Sequence, residues 1–391
     1  MRPHGGARLS ERVRNLHPSP VRELITAIQQ PGMISFAGGL PALDALPRIT
    51  LGEVPAACLQ YGSAEGDPAL REAIAQEAQA LGLPCTAEQV IVLSGSQQGI
   101  DLVAKLFLDP GTLMAVEAPS YVAALQVFQF FGARFTTLDP EREDAGLAGD
   151  ADQPDGEAWP ALAYAIPNFR NPDGACMTEA ARARLARACD RFGVVLFEDD
   201  PYHDLAYQAC SRAPVCARLE RASWVYQGSF SKNLAPGLRL GYLVCSPDLQ
   251  TALGELKQGA DLHSSRLSQW LVLQELRDPR RQARLAAVVD SYRRKRDHFA
   301  DVLTREFHGI AHWQVPAGGL FFWLHLDTLL DTRLLLRVAL ARGVAFMPGE
   351  PFFAEPPEAC GQLRLNFTHA SAADVERGLA ILAGLVREYR A

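Results

Sequence analysis

Five short runs of the chain are apolar or nearly so: Val90-Ile-Val-Leu93, Leu113-Met-Ala-Val116, Ala163-Tyr-Ala-Ile166, Val194-Val-Leu-Phe197 and Trp224-Val-Tyr-Gln227. Each is followed by a turn of small or polar residues, and helix-periodic segments separate them. A strand with no polar face has no side to turn to water, so runs like these belong in a parallel sheet covered by helices on both faces. The fold class is therefore α/β with a mainly parallel sheet. Ligands of such sheets bind beyond the carboxyl ends of the strands. Ser96, Tyr121, Asn171, Asp199 and Lys232 all follow or end one of these runs.

The fifth run leads into Gly228-Ser-Phe-Ser-Lys-Asn-Leu-Ala-Pro-Gly-Leu-Arg-Leu-Gly-Tyr242. Ser229, Ser231 and Arg239 surround Lys232 with hydroxyls and a guanidinium, the groups that bind a phosphate dianion. A lysine amine attacks aldehydes when burial or a nearby cation lowers its pKa. An aldehyde that carries a phosphate describes pyridoxal 5′-phosphate. Ser94-Gly-Ser-Gln-Gln98 precedes a helix expected over 99–108, and the free N–H groups of a helix start stabilise an anion. This turn is a second candidate phosphate contact.

The 391 residues suffice for a large and a small domain. A net charge of −7 leaves no broad basic surface for nucleic acid. The eight scattered cysteines form no CxxC pair and have no histidine cluster beside them, so reduced thiols and no metal site are expected. The polar N-terminus shows no apolar leader, and the composition argues against a membrane span. A soluble cytoplasmic protein is expected.

Apolar positions 21, 24, 25 and 28 predict a helix, with Ser19 as cap and Pro20 in its first turn. Arg22 falls off its apolar face. Ile34 to Pro41 reads as an extended arm in which Gly38 and Gly39 let backbone approach closely. A long amphipathic helix is expected over 281–307, with Arg293-Arg-Lys-Arg296 on a solvated face. The last ninety or so residues read as a compact α+β unit, and the Asp/Gly-rich stretch 139–156 as a surface excursion.

Together, Ser35-Phe-Ala-Gly-Gly-Leu-Pro41, Gly95-Ser-Gln-Gln98, Asn171-Pro-Asp-Gly174, Glu198-Asp-Asp-Pro-Tyr202, the lysine stretch and Leu363-Arg-Leu-Asn-Phe367 resemble the fold-type I pyridoxal-phosphate aminotransferases of class I. The similarity is greatest to the kynurenine/2-aminoadipate aminotransferase group. The resemblance implies an N-terminal helix and arm (1–44), a large cofactor-binding domain (45–285) and a small C-terminal domain (286–391). It implies that Lys232 carries the cofactor covalently and serves as base, that Asp199 pairs with the pyridine nitrogen, and that Asn171 and Tyr202 hydrogen-bond the phenolic oxygen. Tyr121 would stack on the ring. Ser96, Gln97, Ser229, Ser231 and Arg239 would hold the phosphate, with Tyr61 reaching the phosphate of a partner subunit in a homodimer. Arg364 would take the substrate α-carboxylate, aided by Asn171 and the Gly39 arm, and Arg22 would select the side chain. The implied reaction moves an amino group from an amino acid to a 2-oxo acid, 2-oxoglutarate foremost, by a ping-pong cycle. β-Elimination or decarboxylation on the same scaffold is the alternative, and a cofactor-binding sensor domain a more distant one. Two positions depart from the family pattern: Arg170, where glutamine is common, and Asp173, where threonine is usual.

Overall fold

The computed structural model describes residues 9–16, 24, 31–47, 49, 52–148 and 159–390. After the short strand β1 (Ile34–Ser35) of the arm come β2 (Val90–Leu93), β3 (Leu113–Val116), β4 (Arg134–Thr137), β5 (Leu162–Ala165), β6 (Val195–Asp199), β7 (Trp224–Ser229) and β8 (Gly241–Cys245). These seven form one sheet in the order β2-β8-β7-β6-β5-β3-β4. Only β8 is reversed, antiparallel to both β2 and β7. That single reversal leaves β2 pointing with the others, so the carboxyl ends of β2, β3, β5, β6 and β7 share one edge.

Strict alternation of side chains explains why the runs are apolar throughout. Val90, Val92, Ala115, Ala163 and Leu196 pack on one layer, with α1 (Pro68–Ala80) and part of a later helix; Ile91, Leu93, Met114, Val116 and Phe197 pack on the other, with α2 (Ser96–Phe107) and α3 (Val122–Phe130). Each large side chain buried this way contributes about 1.5–3 kcal/mol. The later helix, α4 (Glu179–Phe192), starts where Thr178 accepts the Ala181 N–H at 3.1 Å and ends at Gly193, whose φ is 69°. Helix α1 likewise has Asp67 as cap, with Pro68 in its first turn. Helix α2 differs. Its cap is Gly95, at φ 82° and without a side-chain cap bond, and the helix begins at Ser96 rather than at Gly99.

The chain continues through α5 (Gln250–Asp261), α6 (Arg266–Arg277) and α7 (Arg281–Glu306). Then β9 (Ala311–Trp313), β10 (Phe321–Leu326), α8 (Thr332–Ala341), β11 (Val344–Ala345), β12 (Met347–Pro348), β13 (Gln362–Asn366) and α9 (Ala372–Arg390) build the second unit. Its antiparallel sheet has the order β12-β13-β10-β9, while β11 pairs in parallel with β1 of the arm. Ile34 and Phe36 of the arm enter the core formed by Phe299, Phe322, Leu365 and Leu382.

Several expectations change. Strand β4 escapes the sequence pattern because its residues are half-buried or exposed at the end of the sheet. Within 139–156, Ala145 and Leu147 are fully buried, because the chain turns back there and packs them under the sheet, so the described part is not a simple surface excursion; 149–158 lie outside the described residues. The 293–296 run is only half solvated. Arg293 and Arg294 pair with Asp290, whereas Lys295 donates to Asp44 and the Thr368 carbonyl. Arg296 is buried over the Tyr207 ring, with its guanidinium on the Pro316 carbonyl and Asp297. A helix that bridges two units has neighbours on more than one side, so its basic run is divided between them. The helix expected at 21–28 lies outside the described residues except Leu24, which is helical and buried.

Candidate active site

At the shared strand ends, one cleft is lined by Gly39, Ser96, Gln97, Tyr121, Asn171, Asp199, Tyr202, Ser229, Ser231, Lys232, Arg239 and Arg364. Local reasons put each there. Tyr121 caps α3, Asp199 ends β6 and Ser229 ends β7. Arg239 sits in the left-handed region at φ 49°, just before β8. A Cβ on Gly95 would stand 2.5 Å from Arg239 Nη2, so the glycine both permits the turn's positive φ and makes room for the guanidinium.

Lys232 Nζ donates to the Gly39 carbonyl at 2.7 Å, tying the arm to the lysine. Burial, reinforced by the Arg364 and Arg239 cations, lowers its pKa to about 8. Roughly a tenth of such an amine is unprotonated at pH 7, against less than a thousandth for an ordinary lysine. Asp199 accepts hydrogen bonds from Gln227 Nε2 and Tyr164 Oη, each at 2.7 Å. Burial raises its pKa to about 6, with those two bonds opposing, so it is mainly a carboxylate at neutral pH. Tyr121 is pushed up to about 12 by burial and the Asp199 charge, and its hydroxyl lies 3.5 Å from Gln97 Oε1.

Arg364 is 5% exposed. It donates through Nη1 to Asn171 Oδ1 and through Nη2 to the Ala37 carbonyl, both at 2.6 Å, and lies 4.1 Å from the Phe321 ring centroid. Its Nε has no partner. Burial lowers its pKa to about 10, which leaves it cationic, and no carboxylate among the described residues pairs with it. A buried guanidinium without a counter-ion is costly unless a ligand supplies the anion.

The residues fit a phosphorylated pyridoxal. Hydroxyls, a guanidinium and the uncapped start of α2 are gathered for a dianion, Asp199 is held as a carboxylate, and an activated amine stands beside them. Tyr61 is not brought in: it is 74% exposed, edge-on to His263, and outside the cleft. Arg22 lies outside the described residues.

The two departures from the family pattern meet each other. Arg170 Nε donates to Asp173 Oδ1 at 3.0 Å, and its Nη1 to buried Glu117 at 2.7 Å. The added cation and anion therefore compensate locally beside Asn171. Sequence reasoning missed Tyr164 and Gln227, the partners of Asp199. The available signal was the presence of Tyr164 and Gln227, side chains able to hydrogen-bond, in runs that are otherwise mainly apolar.

The family described as "Aminotransferase class I and II" matches residues 42–382. A 2-aminoadipate transaminase of Thermus thermophilus is 38% identical over 87% of this chain and 86% of its own length. An aromatic-amino-acid aminotransferase of Thermococcus litoralis is 33% identical over 97% of this chain and 94% of its own. The crystal structure of α-aminoadipate aminotransferase from Thermus thermophilus, complexed with N-(5′-phosphopyridoxyl)-L-leucine, superposes with a TM-score of 0.82 at 33% identity, covering 97% of each chain. The α/β fold, the strand-end cleft with its activated lysine, and these matches along nearly the whole chain lead to one conclusion: the chain belongs to the class I and II aminotransferases and is a pyridoxal-phosphate-dependent member of them.

Proposed function

We propose that the enzyme transfers the amino group of an L-amino acid of the 2-aminoadipate, aromatic or branched apolar type to a 2-oxo acid, with 2-oxoglutarate as the usual acceptor, in a ping-pong cycle. The observation that carries the substrate reading is Arg364, a buried cation with an unpartnered Nε in the cleft of Lys232. Its planar fork suits a carboxylate and fixes that group's plane as well as its position. The relatives' names point to the donors: 2-aminoadipate, aromatic amino acids and, in the bound adduct, leucine.

When bound, pyridoxal 5′-phosphate supplies the electron sink for breaking a bond at the substrate Cα. Lys232 would hold it covalently, and its amine, once free, would take the proton from the substrate Cα. Asp199, held in place by Gln227 and Tyr164, would keep a proton on the ring nitrogen. Asn171 and Tyr202 would donate to the phenolic oxygen. Ser96, Gln97, Ser229, Ser231 and Arg239 would bind the phosphate, and Tyr121 would cover the ring. Arg364 and Gly39 orient the substrate. A panel of donors assayed with 2-oxoglutarate tests the substrate class: 2-aminoadipate, aromatic and leucine-type donors are expected to lead, and exclusive use of alanine or aspartate contradicts the reading.

The cations lining the cleft are Lys232, Arg239 and Arg364, so a second substrate carboxylate has no further described partner there. Leu24 packs with Ala37, Val122 and Met347, three residues that also line the cleft. Leu24 thus stands beside the cleft, and Arg22, two residues earlier in the chain, is our candidate for the selector of acidic side chains. Arg22→Ala is expected to lose about 1.5–3 kcal/mol of a charged hydrogen bond, or roughly ten- to a hundredfold in kcat/KM for glutamate and 2-aminoadipate. Half-reactions with leucine serve as the control, and equal losses for both classes sink the selector role.

The division into 1–44, 45–285 and 286–391 is supported by one core drawn from residues 70–273 and another drawn mainly from Tyr292 onward, which the arm's Ile34 and Phe36 join along with Phe169, Tyr202, Leu205 and Tyr207. We assign the enzyme to the cytoplasm as a homodimer with composite sites. Exposed Leu59, Tyr61 and Leu262, grouped by chain position around the Tyr61–His263 contact, offer an apolar surface for the second copy. Mixing Lys232→Ala with Tyr61→Phe, each impaired alone, is expected to restore up to about a quarter of wild-type sites after subunit exchange, since a mixed dimer regains one intact site. Absence of recovery after demonstrated exchange contradicts a composite site.

A further inference from the structure

Behind the Ser94–Gln98 turn, on the side away from the cleft, lies a polar cluster that no step above uses. Lys257 of α5 is at its centre and is 0% exposed. Its three ammonium donors are all engaged: Gln98 Oε1 at 2.9 Å, Asp261 Oδ1 at 2.5 Å and Ser264 Oγ at 2.9 Å. Gln98 Oε1 also accepts the Ser94 N–H at 2.9 Å, which closes the turn on itself. Ser94 Oγ donates to Asp261 Oδ2 at 2.7 Å. Gln269 extends the cluster, donating to the Ser264 carbonyl at 2.8 Å and accepting the Asp67 N–H at 2.7 Å. None of Ser94, Gln98, Lys257, Asp261 and Ser264 lines the cleft.

A buried ammonium is a poor way to gain stability, because desolvating the charge offsets most of its attraction to the carboxylate, and uncharged residues of similar volume in place of both partners are often no less stable. What the charge adds is direction, since it fixes the Gln98 carbonyl oxygen and through it the backbone of Ser94. The start of α2 needs that support. Gly95 provides no side-chain cap bond, so within the turn the Gln98 N–H on the Gly95 carbonyl, at 3.1 Å, is joined only by the bond from the Ser94 N–H to Gln98 Oε1.

We propose that Lys257 is a positioning residue for the phosphate-binding turn, clamping Gln98 against Asp261 and Ser264 so that the N–H groups and side chains of Ser96 and Gln97 stay aimed into the cleft. The inference rests on the phosphate role given to that turn above. The same clamp reaches the connector 262–265, whose His263 lies against Tyr61, so the turn is linked mechanically to the surface assigned to the partner subunit.

The test is the rate at which cofactor leaves the holoenzyme after dilution, followed by its absorbance, beside the melting temperature of each variant. Lys257→Met and Gln98→Leu are each expected to speed release on the order of ten-fold, the scale of one lost charge-assisted hydrogen bond. Lys257→Met strands Asp261, so Lys257→Met/Asp261→Asn separates positioning from stability: it should regain melting temperature while release stays fast. Gln98→Leu, at a partly exposed position, carries the test if the lysine variants fold poorly. Release that returns to the wild-type rate together with the melting temperature overturns the proposal and leaves the cluster a stabilising knot. Arg239→Ala distinguishes the two levels. Fast release there, with wild-type release in Lys257→Met/Asp261→Asn and Gln98→Leu, overturns the Lys257 role alone, whereas unchanged release in Arg239→Ala overturns the phosphate assignment beneath it.

Discussion

Lys232→Ala is expected to abolish multiple turnover. Loss of a positioned proton-transfer group alone costs about 10²- to 10⁴-fold, and this variant also loses the covalent hold on the cofactor. The cleft offers no substitute, since Arg239 and Arg364 are its other cations and neither guanidinium gives up a proton near neutral pH. The lowered pKa of Lys232, about 8, sharpens the expectation. In the cofactor-free cleft the amine is protonated below that pH and free above it, so capture of added pyridoxal 5′-phosphate by Lys232 should speed up as pH rises through that region, and the variant should show no capture. Borohydride reduction followed by peptide mass analysis checks the covalent hold: wild type should gain the cofactor's mass on the Lys232 peptide, and the variant should gain none anywhere. Near-wild-type turnover in Lys232→Ala excludes this lysine as the central residue.

The second large effect concerns Arg364. Removing one partner of a buried, hydrogen-bonded charge pair costs about 2–5 kcal/mol, so Arg364→Leu should lower kcat/KM for amino acids about thirty-fold to several-thousand-fold. Arg364→Lys keeps the charge but not the fork, and should recover only part. Because the guanidinium also donates to Asn171 and the Ala37 carbonyl, some loss could come from a disturbed cleft. Amines that lack the α-carboxylate separate the two causes. Their slow half-reaction should be nearly the same in wild type and Arg364→Leu; an equal fall for amines and amino acids contradicts carboxylate recognition.

The features legible in the sequence are those written in local pattern. Val90–Leu93 and Leu113–Val116 read as doubly covered strands, and the polar residues that follow such runs include Ser96, Tyr121, Asn171, Asp199 and Lys232, which line one cleft. Contacts between distant residues left little trace. Gln98 and Lys257 are 159 positions apart, and a lysine in a helical segment looks solvated until its neighbours are known. Lys295 and Arg296 failed for the same reason, since a helix wedged between two units has more than one buried direction. Tyr164 and Gln227 were concealed by their apolar surroundings, although a hydrogen-bonding side chain on a doubly buried strand always needs a partner. The mutual neutralisation of Arg170 and Asp173 likewise required knowing that the loop folds back on itself and meets Glu117.

Transfer of an amino group in this cleft, with Lys232 as the proposed base, leaves a characteristic product pattern. A single-turnover experiment addresses it most directly: holoenzyme is mixed with excess leucine or 2-aminoadipate and no 2-oxo acid, and the products and cofactor spectrum are followed. Transamination gives one equivalent of the matching 2-oxo acid per site, full conversion of the cofactor to its amine form, and then no further reaction until 2-oxoglutarate is added. Continuous release of ammonia or carbon dioxide from the amino acid alone would contradict it and assign the cleft to a different bond at the same carbon.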